Sequence, residues 1–208
     1  MAKYYSDNTL HNKTMILTGQ GQVTAVPNIA VIHLGVQTNG ENLTAIQQEN
    51  ARITQSIIQA LQRMGVSDIK TFQYSINKLY DYEDGRQIDR GYSVRNILEI
   101  RTTNLDMVGN IIDAAVTSGA NVVDLISFDV SNKEYYYQQA LNMAVMNAMQ
   151  KADSVAMNLG AANPVPVRIV ENTIAPIQPY YRQELAAATP IMPGTLKIEA
   201  SVTVDFEF

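Results

Sequence analysis

From Thr195 to Phe208 apolar and polar residues alternate without a break. Leu196, Ile198, Ala200, Val202, Val204, Phe206 and Phe208 take one parity, and Thr195, Lys197, Glu199, Ser201, Thr203, Asp205 and Glu207 take the other. A period of two sends successive side chains to opposite faces of an extended chain. The stretch is therefore a long strand with one face against a core and the other toward water or a polar partner. Such a strand has to pair with others and be covered by an apolar layer, so the rest of the chain is read for both.

Further alternation is found at Ala30, Ile32, Leu34 and Val36, approached through Gly19, Gly21 and Pro27, which predicts a short strand, a bend and a longer strand. The segments 71–82 and 91–103 alternate too. The turn-prone stretch Glu83-Asp84-Gly85-Arg86 between them predicts an antiparallel hairpin. Three segments show helical spacing instead. In 42–64 the apolar positions are Leu43, Ile46, Ile53, Ile57, Leu61 and Met64, with Gly65 as the stop. In 105–118 they are Leu105, Val108, Ile111, Ile112, Ala115 and Val116, with Asn104 as N-cap and Gly119 as the stop. The third helix, 132–159, opens on a capping-box spelling from Ser131 to Glu134 and closes at Gly160. The resulting order, ββαββαβαββ, is an α+β fold of mixed or mostly antiparallel sheets with three helices in two βα-rich halves. No linker falls near the midpoint, so the chain reads as an N-terminal arm, 1–13, and a single domain, 14–208. A Pro- and Ala-rich surface loop, flexible or ordered by a partner, interrupts that domain at 175–194.

Composition narrows the chemistry. Hydrophobic residues make up 46% and charged residues 17%, enough apolar surface to offset chain entropy. A net charge of -5 opposes nucleic-acid binding. No apolar run approaches the roughly 18 residues of a membrane span, and the start, MAKYYSDNTLHNKT, lacks the apolar core of a secretory signal. As written, the chain reads as soluble and cytoplasmic; periplasmic or secreted residence is the alternative if a leader has been removed. With no Cys, disulfides and thiolate chemistry are excluded, and only His11 and His33 remain for imidazole chemistry. No cofactor is expected.

The individual motifs are weak as enzyme signatures. Gly19-Gln-Gly21 is followed by no helix and no Lys, which makes it a strand bulge or bend rather than a phosphate cradle. His33 lies mid-strand on the face opposite Ile32 and Leu34, with no orienting acid near it in sequence. Asp81, Glu83, Asp84 and Asp89 are interspersed with Arg86 and Arg90, the pattern of a charged hairpin tip rather than a cation site. No serine sits in a Gly-x-Ser-x-Gly setting.

The third helix is the unusual element. Ala140, Ala144, Ala148, Ala152 and Ala156 recur at every fourth position, a smooth ridge that lets another backbone approach closely. The ridge either presses the helix onto its own sheet or forms a helix–helix contact between subunits. Met143, Met146, Met149 and Met157 widen the apolar arc beyond one contact, which favours a second buried face. Tyr135, Tyr136 and Tyr137 at its start and Tyr180 and Tyr181 in the loop add aromatic area, either for an interface or over the edge of the core. The residues expected to meet a second copy or a partner are Tyr135, Tyr136, Ala140, Ala144, Ala148, Met149, Tyr180, Tyr181, Val202 and Val204.

Four segments, TGQGQVTAVPNIAVIHLGVQT at 18–38, GYSVRNILEIRTTNLDMVGNIIDAAVTSGANVVDLISFDVSN at 91–132, KADSVAMNLG at 151–160 and PGTLKIEASVTVDFEF at 193–208, together resemble the SIMPL-domain family. The similarity runs from Thr14 onward, in order and in register. That family includes bacterial periplasmic immunogenic proteins and a vertebrate signalling adaptor. The resemblance implies an α+β fold of two βα-rich halves, ring-like homo-oligomers in some bacterial members, and a loosely defined part in envelope or stress physiology, with no catalytic residues to carry over. Three functions follow. The first is a non-enzymatic, oligomer-forming protein that has itself, and possible protein clients, as partners. The second is a hydrolase or lyase with an acid/base site near His33. The third is an adaptor that recruits a client through loop 175–194.

Overall fold

The computed structural model describes residues 14–161, 163–172 and 192–208. The elements follow the predicted order: β1 (Thr14–Ala25), β2 (Ile29–Gly40), α1 (Leu43–Arg63), β3 (Asp68–Glu83), β4 (Arg86–Thr102), α2 (Val108–Thr117), β5 (Val122–Asp129), α3 (Lys133–Leu159), β6 (Val165–Asn172) and β7 (Leu196–Glu207). The α+β class therefore holds. The chain divides into two compact units. One gathers β1, α3, β6 and β7 from Lys197 onward; the other is the intervening stretch from β2 to β5 with α1 and α2. Because the second is inserted between β1 and α3, no linker composition marks the division.

In the first unit a three-stranded sheet has the order β1-β7-β6. The alternation of β7 is realised in full. Leu196, Ile198, Ala200, Val202, Val204 and Phe206 are buried, while the intervening polar residues are half-buried or exposed. Their cover is α3, whose Ala140, Ala144, Ala148 and Ala152 pack with Ala200, Val202, Val204 and Phe206. The approach is unusually close. A Cβ placed on Gly19 would come 2.0 Å from the Ala144 carbonyl oxygen, and one on Gly21 would come 2.0 Å from that of Ala140. Glycine on the strand and alanine on the helix are what this separation requires.

The second unit is a four-stranded antiparallel sheet, β3-β4-β2-β5, with α1 and α2 over one face. Ile57 and Leu61 of α1 and Ile111 and Ala115 of α2 meet Ile32, Leu34, Leu98 and Ile100. The hairpin between β3 and β4 turns at Asp84 and Gly85, whose φ values of 50° and 75° are the positive pair of a two-residue Asp-Gly turn matched to strand twist.

Two caps differ from expectation. Asn104 makes no side-chain cap; a 3₁₀ turn, Leu105–Met107, precedes α2 instead. At α3 the cap is Asn132, whose side chain accepts the Tyr135 N–H, rather than Ser131. The Ser131 hydroxyl accepts from Asn28 Nδ2 at 3.0 Å and its N–H donates to Asn28 Oδ1 at 2.8 Å, a partnership more than a hundred residues away in sequence. The N-terminal arm 1–13 and residues 173–191, most of the loop at 175–194, lie outside the described residues.

Candidate functional site

The expected contact residues separate into three groups. Ala140, Ala144 and Ala148 are 0% exposed and Val202 and Val204 1%, so all five are interior positions of the first unit. That corrects their assignment as a contact surface: the ridge seats α3 on its own sheet, because Gly19 and Gly21 let the backbones approach. Tyr135 and Met149 are exposed, and Tyr136 is half-buried, its ring T-shaped to that of Tyr135 with centroids 5.4 Å apart. Tyr180 and Tyr181 fall outside the described residues.

With alanine turned inward, α3 turns its larger apolar residues outward. Met143, Met146, Met149, Met157 and Leu159 are all exposed. The sheet edges beside it are treated differently. At β1, α3 takes up backbone groups of the strand: the Gln20 N–H donates to Asn147 Oδ1 at 3.2 Å, and Lys151 Nζ donates to the Thr18 carbonyl at 2.8 Å. At β6, Val165, Val167, Ile169 and Val170 are exposed at 39–59%, and the strand pairs with β7 alone among the described elements. Its two charged residues are turned to neighbours in the same unit. Arg168 is 3.6 Å from Asp205, and the Tyr137 hydroxyl donates to Glu171, which holds the phenol above its ordinary range. Sequence reading registered 165–174 as β-like but missed β6 as a surface. Its valines carry no period that separates an edge from a core.

His33 has an acid after all. On the sheet face away from α1 and α2, cross-strand pairing lines up Leu125, His33, Glu99 and Lys70 on the four strands. His33 Nε2 is 3.2 Å from Glu99 Oε2, and Lys70 Nζ is 2.9 Å from Oε1, with Arg101 3.6 Å away. The Lys70 bond, with help from His33, holds the Glu99 carboxyl below its ordinary range against the opposing effect of burial. A bulge in β3 between Thr71 and Gln73 gives Phe72 room to stack on the imidazole at 4.0 Å. Glu99 is thus ionised and shared among His33, Lys70 and Arg101, and one face of the imidazole is covered by Phe72. The described cavities lie elsewhere. One of about 190 Å³ is lined by Gln20, Gly21, Gln22, Glu199, Ala200 and Ser201, and one of about 270 Å³ adjoins Ile29, Gly65 and Arg101. Neither contains His33, and both are smaller than the roughly 300–1,000 Å³ of ligand pockets.

The hairpin acids are similarly matched. Arg90 binds Asp81 and Glu83, and Lys78 binds Asp89 at 2.7 Å. No group of three or more His, Cys, Asp or Glu among the described residues is placed to hold a metal. No described helix is long and apolar enough to cross a membrane.

Comparison with known proteins adds a family and few functions. Residues 15–206 match the family model SIMPL, described as a protein of unknown function (DUF541). The 26 kDa periplasmic immunogenic protein of Brucella melitensis is 29% identical over 207 residues, covering 92% of this chain and 83% of its own length. The uncharacterized protein YggE of Escherichia coli K12 is 28% identical over 144 residues, 68% of this chain and 58% of that one. YggE of Edwardsiella ictaluri is 24% identical over 179 residues, 85% and 74% of the two chains.

Proposed function

Given that the chain belongs to the SIMPL family, whose description assigns no activity, we propose from its own surfaces that it is a non-enzymatic homo-oligomer whose subunits join along β6. The observation that carries this reading is an edge strand exposing Val165, Val167, Ile169 and Val170, with its two charged residues paired to Asp205 and Tyr137 of the same unit. Unpaired N–H and C=O groups beside apolar side chains are a template for another strand, and soluble proteins ordinarily blunt such edges. Here α3 takes up backbone groups of β1, whereas among the described residues β6 carries only Pro166 and a bulge between Pro166 and Arg168 at its start, and its second half, from Ile169 to Asn172, is left as a regular edge. A second copy of β6, antiparallel about a two-fold axis, extends each three-stranded sheet into six strands without a new fold. The periplasm is the proposed location, since the Brucella relative is named for it; this prefers the alternative over the cytoplasmic reading.

The test is native mass spectrometry with light scattering on the parent chain and on Ile169→Lys. The parent is expected as a dimer or a multiple of it, and the variant at 23.0 kDa with an unchanged circular-dichroism spectrum. A parent chain that stays at 23.0 kDa up to high micromolar concentration sinks the proposal.

A further inference from the structure

We propose that the cavity of about 270 Å³ at the C-terminal end of α1 binds a small zwitterion, a free α-amino acid whose carboxylate meets Arg101 and whose ammonium meets Asp68. The cavity lies wholly within the inserted unit, where the turn from Gly65 to Asp68 faces Ile29 of β2, the last residues of β4 and Thr103. Strand pairing sets Asp68 opposite Arg101, yet the two do not close on each other. Their nearest approach is 4.0 Å, and Glu99 stands 3.6 Å from the same guanidinium. Both separations exceed a hydrogen bond. The Glu99 charge is taken up by Lys70 at 2.9 Å and His33 at 3.2 Å instead. The Arg101 donors thus make no hydrogen bond among the described residues, and a planar fork of N–H groups is what recognises a carboxylate through two parallel bonds.

The surroundings select the ligand. Asp68 belongs to the same wall, so a plain anion on Arg101 would face a carboxylate, and a plain cation on Asp68 would face a guanidinium. The charges of Lys70, Glu99, Arg101 and Asp68 cancel, which leaves nothing for an ion of either sign to neutralise. A molecule carrying both charges on one carbon meets each group with its opposite. At the end of α1 the negative end of the helix dipole adds to Asp68 in favouring an ammonium. The Ser67 and Thr103 hydroxyls line the cavity, make no hydrogen bond among the described residues and can serve either charged group. Val66 and Ile29 supply an apolar wall for a short side chain. At about 30 Å³ per water the space holds on the order of nine, too little for a drug-sized ligand and enough for an amino acid. This inference does not depend on assembly through β6.

The test titrates the full chain with L-valine and follows its backbone amides by NMR. Saturable shifts are expected at Gly65, Ser67 and Thr103, with a dissociation constant of about 1 mM or below. Isovalerate, which lacks the ammonium, and valinamide, which lacks the carboxylate, are expected to bind the unsubstituted protein about tenfold more weakly or worse. Arg101→Gln and Asp68→Asn, each at a position open to solvent, should lose valine binding by a similar factor with an unchanged circular-dichroism spectrum. The absence of shifts at about 10 mM valine, equal binding of isovalerate or valinamide, shifts confined to other parts of the chain, or unchanged affinity in either variant would each overturn the assignment.

Discussion

The two units solve one packing problem in opposite ways. In the inserted unit, α1 and α2 turn branched side chains inward, with Ile57, Leu61 and Ile111 interleaving with Ile32, Leu34 and Ile100. Their outer surfaces hold few large apolar groups. In the other unit, α3 turns alanine inward against strand glycine and carries Tyr135, Met143, Met146, Met149 and Met157 on its exposed side. Close backbone approach satisfies the sheet with small residues, so the large apolar residues of the same helix are free for the surface. An apolar helix is thus not evidence of a thick core. In this chain the large apolar residues of the helix lie at the surface instead.

The largest expected effect tests that difference directly. Adding one methyl to the close-packed unit should cost more than deleting one from the branched core. Gly21→Ala drives a Cβ into the α3 backbone, and we expect a loss of about 3 kcal/mol, at the upper end of overpacking. Ile32→Val removes a methylene from a fully buried site and should cost about 1 kcal/mol. Hydrogen exchange of the α3 and α1 peptides, measured separately, reads each unit by itself. Equal losses, or a smaller one for Gly21→Ala, would show that α3 can lift off its sheet at little cost.

A second difference is polar. The α1–sheet contact contains Asn50, 1% exposed, whose Nδ2 donates to the carbonyls of Val36 and Val94, each at 3.1 Å. Thr54 and Asn96 extend the network. Asn50→Leu keeps the volume but strips two buried carbonyls of their donor, and should destabilise the inserted unit by about 2 kcal/mol in urea unfolding. A change within about 0.5 kcal/mol, the range of ordinary surface substitutions, would mean that water or a backbone shift replaces the amide.

What could be read from the sequence follows from range. Period two in β7, the Asp-Gly turn and the three helices depend on neighbours in sequence, and each was legible. The alanine ridge was legible as a close contact, but its partners, Gly19 and Gly21, lie more than a hundred residues away and had been read as a bend. The α3 cap went to Asn132 for the same reason: Ser131 is claimed by Asn28. His33 showed no acid along the chain because Glu99 reaches it through strand pairing across 66 residues. The exposure of β6 was illegible because edge position is a property of the sheet.

The smallest effect separates the units by pH. Glu99 has its pKa lowered from 4.5, so the unfolded state binds a proton more readily than the folded one. The stabilisation by Lys70 and His33 is therefore complete above pH 4.5 and drains away as the pH falls through the depressed folded value. Glu99→Gln should cost about 1 kcal/mol at neutral pH, the low end for a hydrogen-bonded charge because Lys70 is itself exposed. The gap between parent and variant should close below pH 4.5, where the parent carboxyl is also neutral. Tyr137 runs the other way. Its pKa is raised from 10.0, first by donating to Glu171, so that contribution is present below pH 10.0 and lost as the pH rises through the raised value. Acid should thus loosen the β2–β4 cluster first, and alkali the tie between α3 and β6. Exchange that quickened in both units together at either extreme would show that a shared opening, rather than these two contacts, limits each unit.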